Sequence, residues 1–274
     1  MREAAADRGL WARRAALIVI LAIALFPIVW LFSTAYKPAR DIFTTPPQLF
    51  FEPTFANFEN VFRLFDLWSL VKSSLIISIG STLLSLLLGV PAGYALARSK
   101  NPKAVWLAYF FLAIRTVPPV ATLIPFYLMM RDIGLLGTWW AVILLNTALN
   151  SAFVVWMMFS YFRASPVSIE EAALTDGSND WSTFLFTALP TVVPGIIASA
   201  IFCIMFSWND FLYSMFLTRA DSKPISVALL SAYGTKDISW GTLGALAHFS
   251  TLPIVLMMIL LNRYFVQGLT KSAH

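Results

Sequence analysis

Glu171-Ala172-Ala173-Leu174-Thr175-Asp176-Gly177 is a polar, acidic segment that lies, together with Leu189-Pro190, between two long apolar stretches. It stands out because the 274-residue chain is 59% hydrophobic and only 12% charged, with a mean hydropathy of +0.75. A chain this apolar does not fit a soluble globular domain. The sequence therefore predicts a protein that lies mostly in a lipid bilayer and meets the aqueous phase at this segment.

Six stretches are long and apolar enough to cross a bilayer. A helix needs about 20 mostly apolar residues to do so, because every backbone polar group must be bonded within the segment. The predicted spans are residues 15–35, 73–97, 104–130, 138–162, 187–217 and 243–266. The fifth is long, and the prolines near its start predict tilt, a kink or an extension outside the membrane. The predicted fold is an all-α integral membrane protein with a single transmembrane domain, residues 1–274.

Basic residues in short flanking segments indicate the orientation. Four arginines lie in the N-terminal tail, and Arg98, Lys100 and Lys103 lie in the short second loop. If six helices alternate across the membrane, both segments and both termini are cytoplasmic. Residues 163–186 then form a cytoplasmic loop between the fourth and fifth helices. The net charge of +5 reflects this topology, and nothing in the chain resembles a nucleic-acid footprint.

The chain offers no set of side chains for catalysis, metal binding or nucleotide binding. The single cysteine, Cys203, excludes an internal disulfide, and His248 and His274 are too few and too scattered for a metal site. A Gly-rich phosphate loop is also missing from the sequence. We therefore predict no catalytic residue, metal or cofactor in this chain; if transport uses ATP, another subunit binds it.

The cytoplasmic loop has the pattern of a short helix, a turn and a second helix. Ser165-Pro166 suits a helix start, and Glu170-Glu171 lie in the early turns, where the helix dipole favours negative charge. Gly177 permits a left-handed cap at the end of this helix. Asn179-Asp180 can then cap a second helix that begins at Trp181.

At these residues the chain resembles the inner-membrane permeases of binding-protein-dependent ABC importers. Their cytoplasmic loop has the pattern Glu-Ala-Ala, three residues, Gly, nine residues, Ile, one residue, Leu-Pro. The matching positions here are Glu171, Ala172, Ala173, Gly177, Leu189 and Pro190. Thr187 occupies the Ile position, a departure that leaves the spacing intact. The alternative is an interfacial amphipathic helix without a transport role.

Other stretches resemble the carbohydrate branch of these importers, in particular the MalG-type permeases of the maltose system. The similar stretches are Ile124-Pro125 with Gly134-Leu135 and Thr138, residues 206–211, and Arg263-Tyr264-Phe265 with Gly268-Leu269-Thr270. The resemblance extends from the first helix onward. It implies a sugar or sugar-like solute, with polyols and glycerol phosphate esters as alternatives, and it does not identify the solute.

The resemblance implies partners and a location. An extracytoplasmic solute-binding protein delivers the solute, this chain and a homologous second permease form the path, and two copies of a cytoplasmic ABC ATPase bind ATP and magnesium. The complex is expected in the bacterial cell inner membrane, where this chain is a multi-pass subunit.

The resemblance also implies which residues meet the ATPase. A helix that contains small residues fits a groove of the ATPase closely and moves with it as a rigid body. The implied coupling residues are Glu171, Ala172, Ala173, Asp176, Gly177, Leu189 and Pro190. For Glu171 the alternative is an ordinary solvated carboxylate. The C-terminal candidates for ATPase contact are Gln267, Gly268, Leu269 and Thr270.

Polar residues within the spans are candidates for a translocation path or gate, because charge at membrane depth is costly. Arg115 falls near mid-membrane, beside three prolines that favour a bend or gap; it either lines the path or bonds carbonyls that the prolines leave free. Asn146 and Asn150 project from one helix face and either line the path or join helices. Asn209 and Asp210 lie near the outer end of the fifth span and suit a gate or permease pairing.

The remaining patterns predict architecture. Residues 36–72 are rich in aromatics and prolines and predict an ordered extracytoplasmic cap, with a short amphipathic helix over residues 55–67. Gly80, Gly89 and Gly93 indicate close helix contact or bending. Trp139 and Trp240 fall near span ends, where tryptophan prefers the membrane interface.

Two other classes of protein compete with the permease interpretation. A stand-alone secondary transporter or channel would need internal repeats and paired intramembrane acids, and the sequence has no convincing duplication. The second is a membrane scaffold that does not transport.

Overall fold

The computed structural model describes the backbone of residues 2–233 and 239–271, and most side chains between residues 11 and 259. His274 lies outside the described residues. The chain comprises two compact units: Met1–Leu67 with Leu229–Leu252, and Trp68–Ala228 with Pro253–His274.

The described residues are helical throughout, apart from connecting segments and an isolated β-bridge between Gly137 and Thr218. A π-helical turn, Thr183–Ala188, joins two short helices, and 3-10 turns occupy Ala39–Asp41 and Ala220–Ser222. In chain order the helices are α1 (Arg2–Thr34), α2 (Ala56–Leu64), α3 (Leu67–Arg98), α4 (Lys103–Ile114), α5 (Pro119–Asp132), α6 (Trp139–Ala164), α7 (Val167–Thr175), α8 (Asp180–Ser182), α9 (Leu189–Thr191), α10 (Val193–Trp208), α11 (Leu212–Leu217), α12 (Ile225–Ala232) and α13 (Trp240–Lys271).

Among the described residues, four helices are long and apolar enough to cross a membrane: α1, α3, α6 and α13. Two further candidates are bent pairs. α4 and α5 meet at 86°, and the segment Asp180–Thr191 meets α10 at 77°. If each bent pair is one span, the total reaches six. The all-helical prediction is confirmed, and the third and fifth predicted spans are interrupted rather than continuous.

Proline explains both interruptions. Pro118 precedes α5 with extended backbone (φ −56°, ψ 129°), and Pro194 is the second residue of α10, two positions after the non-helical Val192. Proline lacks the N–H needed for helix bonding, and its ring disfavours helical geometry in the preceding residue. The bends that the sequence predicted from these prolines are therefore present, and each one separates two helices.

α6 is the centre of the second unit, since 67% of its apolar stretch is buried. It runs parallel to α3, because Gly80 faces Ile143, Gly89 faces Val154 and Gly93 faces Met158. A Cβ atom at Gly93 would lie 2.8 Å from the Cβ of Met158 and 3.0 Å from two main-chain atoms. The close helix contact predicted from these glycines is confirmed.

Two apolar clusters lie along α6. The first, near its start, includes Ile77, Met130, Val142 and Leu217. The second, near its end, includes Met158, Phe162, Phe184 and Cys203. Cys203 is fully buried there, as expected for a small packed residue. The second cluster matters for function because it underlies the polar loop after α6.

The segment after α1 is ordered, as predicted. Asn57 of α2 donates through Nδ2 to the carbonyls of Ala35 and Lys37, both at 2.9 Å. The ammonium of Lys37 donates to the Gln48 carbonyl at 2.9 Å and lies 4.0 Å from the Trp30 ring centroid. These bonds fix the chain between α1 and α2. The predicted helix over residues 55–67 is confirmed with shorter bounds, Ala56–Leu64.

Candidate functional site

The polar loop begins with the short helix α7, most of which is exposed. Ile169, Glu171, Ala172 and Leu174 are exposed, and Ala173 is half-buried. The predicted cap at Ser165 is wrong: Ser165 ends α6, Pro166 is the N-cap of α7 without a side-chain bond, and the Ser165 hydroxyl lies 3.0 Å from that of Thr191. Since Pro166 holds Ser165 in extended geometry, the serine belongs to the preceding helix end.

Gly177 ends α7 in the left-handed conformation, with φ +93°. Its N–H donates to the Leu174 carbonyl at 3.1 Å, and the next N–H, of Ser178, donates to that of Ala173 at 3.0 Å. These bonds satisfy carbonyls that a helix end leaves free. The predicted left-handed cap is therefore confirmed, and Asp176 lies exposed beside it.

The second helical segment starts as the sequence predicted. Asn179 Oδ1 accepts from the Ser182 N–H at 2.8 Å, which caps α8. The chain continues through the π-helical turn, with Phe184 buried in the apolar cluster, to Leu189-Pro190 at the start of α9. Leu189 is half-buried and Pro190 exposed. The loop is therefore an exposed turn mounted on a packed base.

Glu170 is a functional candidate that the sequence reasoning missed. It is 5% exposed, and its carboxylate bonds Arg98 of α3, with Nη2 to Oε1 at 2.6 Å. The only signal in the sequence was the acidic pair Glu170-Glu171. Adjacent helix positions point about 100° apart, so one acid of such a pair faces inward when the other faces solvent. In the sequence, Arg98 stands out only as one of the basic residues that indicate the topology.

Arg115 lies in the break between α4 and α5. Its guanidinium carbon is 3.9 Å from the Phe206 ring centroid and 5.5 Å from that of Phe153. Within the described part of the chain, its buried Nη1 has no hydrogen-bond partner. Nη1 therefore bonds none of the described carbonyls that the prolines leave free, and the two aromatic faces attract the guanidinium by cation–π interaction.

Asn150 joins helices, which is one of its two predicted roles. Its Nδ2 donates to the Ser207 hydroxyl at 2.9 Å, and the Ser207 hydroxyl lies 2.8 Å from that of Ser81. Asn150 is 2% exposed, and a buried amide needs such partners. The three residues connect α6, α10 and α3 in one polar chain through the apolar core.

Asp210 forms a cap. Its Oδ1 accepts from the Tyr213 N–H at 3.3 Å, and its Oδ2 accepts from the N–H and hydroxyl of Ser214 at 3.2 and 2.9 Å. Asn146 lies beside this carboxylate, yet its buried Nδ2 makes no hydrogen bond among the described residues. Asn209 is exposed, and its Nδ2 bonds the Met205 carbonyl at 2.8 Å. Asp210 thus satisfies N–H groups in the first turn of α11, and Asn146 has a donor beside it without a partner in the described part of the chain.

Replacing Asp210 by alanine is expected to lower the free energy of unfolding by about 1 kcal/mol, the usual contribution of a side-chain cap. Asp210→Asn keeps an acceptor and is expected to retain most of that stability. Thermal unfolding of the purified protein in detergent measures both. Equal losses in the two variants would show that the carboxylate charge, and not capping, stabilises this turn.

The predicted C-terminal candidates fall at the edge of the described chain. Residues 267–270 belong to the backbone of α13, but the side chains of Gln267, Leu269 and Thr270 lie outside the described residues. The described residues contain no group of three or more histidine, cysteine, aspartate or glutamate side chains that could hold a metal ion.

Comparison with known proteins gives a family match over most of the chain. Residues 89–271 match the family described as "Binding-protein-dependent transport system inner membrane component". "Probable ABC transporter permease protein y4oR" of Sinorhizobium fredii is 32% identical over 255 residues, which cover 93% of this chain and 92% of that protein. "Trehalose transport system permease protein SugB" of Mycobacterium tuberculosis is 32% identical over 265 residues, with coverage of 93% and 94%.

A solved structure has the same fold. It is a chain of a bacterial ABC transporter involved in the import of the acidic polysaccharide alginate, and it superposes with a TM-score of 0.77 at 25% sequence identity. The match covers 95% of this chain and 98% of that one. Sequence similarity to the two permeases and structural similarity to the transporter chain therefore each extend over nearly the whole length of this chain.

Proposed function

Because this chain belongs to the family of binding-protein-dependent transport system inner membrane components, we propose that it is one permease subunit of an ATP-driven importer for a sugar or sugar-like solute. The observation that carries this proposal is the exposed loop helix α7, followed by the left-handed Gly177, in a chain of membrane helices. Such a helix offers a small rigid body to a soluble partner.

Coupling follows from the shape and surface of this helix. Ala172 and Ala173 allow close approach to a partner groove, Glu171 offers a carboxylate on the exposed side, and Gly177 turns the chain away. When two ATPases close on ATP and magnesium, a helix seated in each of their grooves moves with them. Asp176 belongs to the same surface. Leu189-Pro190 belong to the segment that connects this surface to α10. The C-terminal residues 267–270 are proposed as a second contact with the ATPase.

The proposed topology has six spans, with each bent pair counted as one span and both termini in the cytoplasm. The family match supports an inner-membrane location, and the bacterial relatives support a bacterial cell membrane. In this topology the loop from 163 to 186 is cytoplasmic, and the segment 36–72 is extracytoplasmic, within reach of a solute-binding protein. The helices act together as one transmembrane domain, in complex with a homologous second permease.

A carbohydrate is the proposed solute because SugB is named for trehalose transport and the solved transporter structure is named for alginate import. Arg115 and Asn146 each keep a buried donor without a partner among the described residues. We propose both residues as candidates for the translocation path. Asn209 and Asp210, which directly follow α10, remain gate candidates. The bonds of Asn150 support a structural role.

The proposal is tested by reconstituting the permease pair in liposomes with the ATPase subunits and the binding protein. We expect the ATPases to co-purify with this chain, and uptake of radiolabelled disaccharide to require ATP. A catalytically inactive ATPase is expected to abolish uptake. Transport by the purified chain alone would instead identify a secondary transporter or channel, and co-purification with no ATP-dependent transport of any tested solute would identify a scaffold.

A further inference from the structure

Arg98, at the end of α3, bonds two other elements at once. Its Nε donates to both carboxylate oxygens of Glu170 at 3.1 and 3.0 Å, and its Nη2 donates to Oε1 at 2.6 Å. Its Nη1 donates to the Phe162 carbonyl at 2.7 Å, and its Nη2 lies 3.4 Å from that of Ser165. One guanidinium thus connects the last turn of α3, the last turn of α6 and the first turn of α7.

A second residue of α3 holds the same carboxylate. Tyr94, one turn before Arg98, donates its hydroxyl to Glu170 Oε2 at 3.0 Å. Its ring packs against Phe162 and Phe184, with centroids 5.1 and 4.8 Å apart. The polar cluster of Tyr94, Arg98 and Glu170 therefore lies directly on the apolar cluster beneath the loop.

Burial makes this cluster rigid. The side chains of Arg98 and Glu170 are only 16% and 7% exposed. A planar guanidinium that bonds a carboxylate through two nitrogens has a defined orientation as well as a distance. Buried ion pairs contribute little net stability relative to apolar residues of similar volume, whereas removal of one partner leaves an uncompensated buried charge. The arrangement is therefore suited to fixing the position and orientation of α7 relative to α3.

The two faces of α7 are divided between two tasks. Glu170 points to α3 and is buried, whereas Glu171 and Ala172 are exposed on the side proposed for the ATPase. Apart from the Glu170 bonds, α7 is joined to α6 by the two-residue connection Ser165-Pro166 and packs against the π-helical turn Thr183–Ala188. The Glu170 bonds are what ties α7 directly to the end of α3, so a push on the exposed face of α7 reaches α3 through them.

We infer that Glu170 and Arg98, with Tyr94, are positioning residues that join α7 rigidly to α3 and α6, so that movement of α7 is delivered to the membrane helices. This inference rests on the proposed function, since it names the contacts through which movement of the ATPases reaches the membrane helices. None of the three residues needs to contact the ATPase or the solute.

The test measures the number of solute molecules imported per ATP hydrolysed by the complete complex in liposomes. Glu170→Gln and Arg98→Gln are each expected to lower this ratio roughly tenfold, within the range that residues along a coupling route produce. The ATPase subunits are expected to co-purify as before, because the exposed face of α7 is unchanged. The double variant is expected to be no worse than either single variant, since the two residues act as one unit.

Asp132→Asn is the matched control. Asp132 pairs with Arg131 at 2.8 Å, but both side chains are more than half exposed. This pair of neighbours therefore does not fix one helix relative to another. Tyr94→Phe keeps the ring contacts and removes a single bond, and we expect it to lower the ratio about threefold. It provides a readout even if the charged-pair variants fail to assemble.

The outcomes separate this inference from the proposed function. If Glu170→Gln and Tyr94→Phe lower only the yield or the thermal stability, while the ratio of solute to ATP stays unchanged, the residues are merely structural and the inference is overturned. Multiplicative losses in the double variant would also overturn it. If the unaltered chain does not bind the ATPases at all, the proposed function fails, independently of these variants.

Discussion

A complex that carries Gly177→Asp in this chain is expected to hydrolyse ATP while importing almost no solute. Gly177 has φ +93°, and no atom lies within 4 Å of the position its Cβ would take. An added side chain therefore meets open space and projects from the proposed docking surface. A carboxylate without a partner in an interface costs well over about 1.4 kcal/mol, the energy of a tenfold change in equilibrium. We expect uptake to fall at least tenfold.

Backbone strain must be separated from this effect, because aspartate at positive φ costs about 1–2 kcal/mol wherever it is placed. Gly134 is a matched control in the same chain. It has φ +74° with nothing within 4 Å of its Cβ position, and it follows α5 with the same pair of bonds, from its own N–H to Arg131 and from that of Leu135 to Met130. Gly134→Asp thus imposes similar strain away from the loop.

The measurement compares ATP hydrolysis and uptake of radiolabelled disaccharide for the two variants at equal amounts of purified complex. We expect Gly134→Asp to keep uptake within about twofold of the unaltered complex and Gly177→Asp to lose it, since only the latter alters the coupling surface. Equal uptake in both would contradict the role assigned to the loop. Equal losses in both would show that strain, and not docking, is responsible.

Much of the architecture could be predicted because its causes are local. Apolar length predicted the spans, Asn179 and Gly177 predicted the caps of the loop, and clustered prolines predicted the bends. Each of these signals acts within a few residues, so a single sequence contains it completely. The exception was Ser165, where two local signals conflict: serine favours the N-cap, and the following proline extends the serine's backbone.

The contacts of the candidate site could not be predicted in the same way. Arg98 and Glu170 are 72 positions apart, and nothing in the periodicity of either helix indicates that they meet. The position of Arg115 over Phe206 depends on the 86° bend between α4 and α5. A proline predicts that a helix bends, whereas the packing of other helices sets the direction. Long-range pairing therefore had to come from the structure.

The second large effect is expected at Gly93, where the path of α3 along α6 leaves no room for a side chain. Gly93→Ala places a methyl group 2.8 Å from the Met158 Cβ and 3.0 Å from the Phe159 nitrogen and the Val155 carbonyl oxygen. Main-chain atoms cannot rotate away, so the helices must separate. Overpacking of this kind costs about 1–3 kcal/mol, and the tip of α3, with Arg98, would move from α6.

Gly80→Ala is the control on the same helix pair. The nearest atom to its Cβ position is the terminal Cδ1 of Ile143, at 3.1 Å, and the other close atoms belong to the same flexible side chain. In a helix interior, alanine is favoured over glycine by roughly 0.5–1 kcal/mol, which offsets a small adjustment of Ile143. Thermal unfolding in detergent is therefore expected to show a clear loss for Gly93→Ala and little change or a gain for Gly80→Ala. Similar losses in both would mean that α3 and α6 adjust at other positions along their contact. Their close approach near Arg98 would then not be a fixed feature of the bundle.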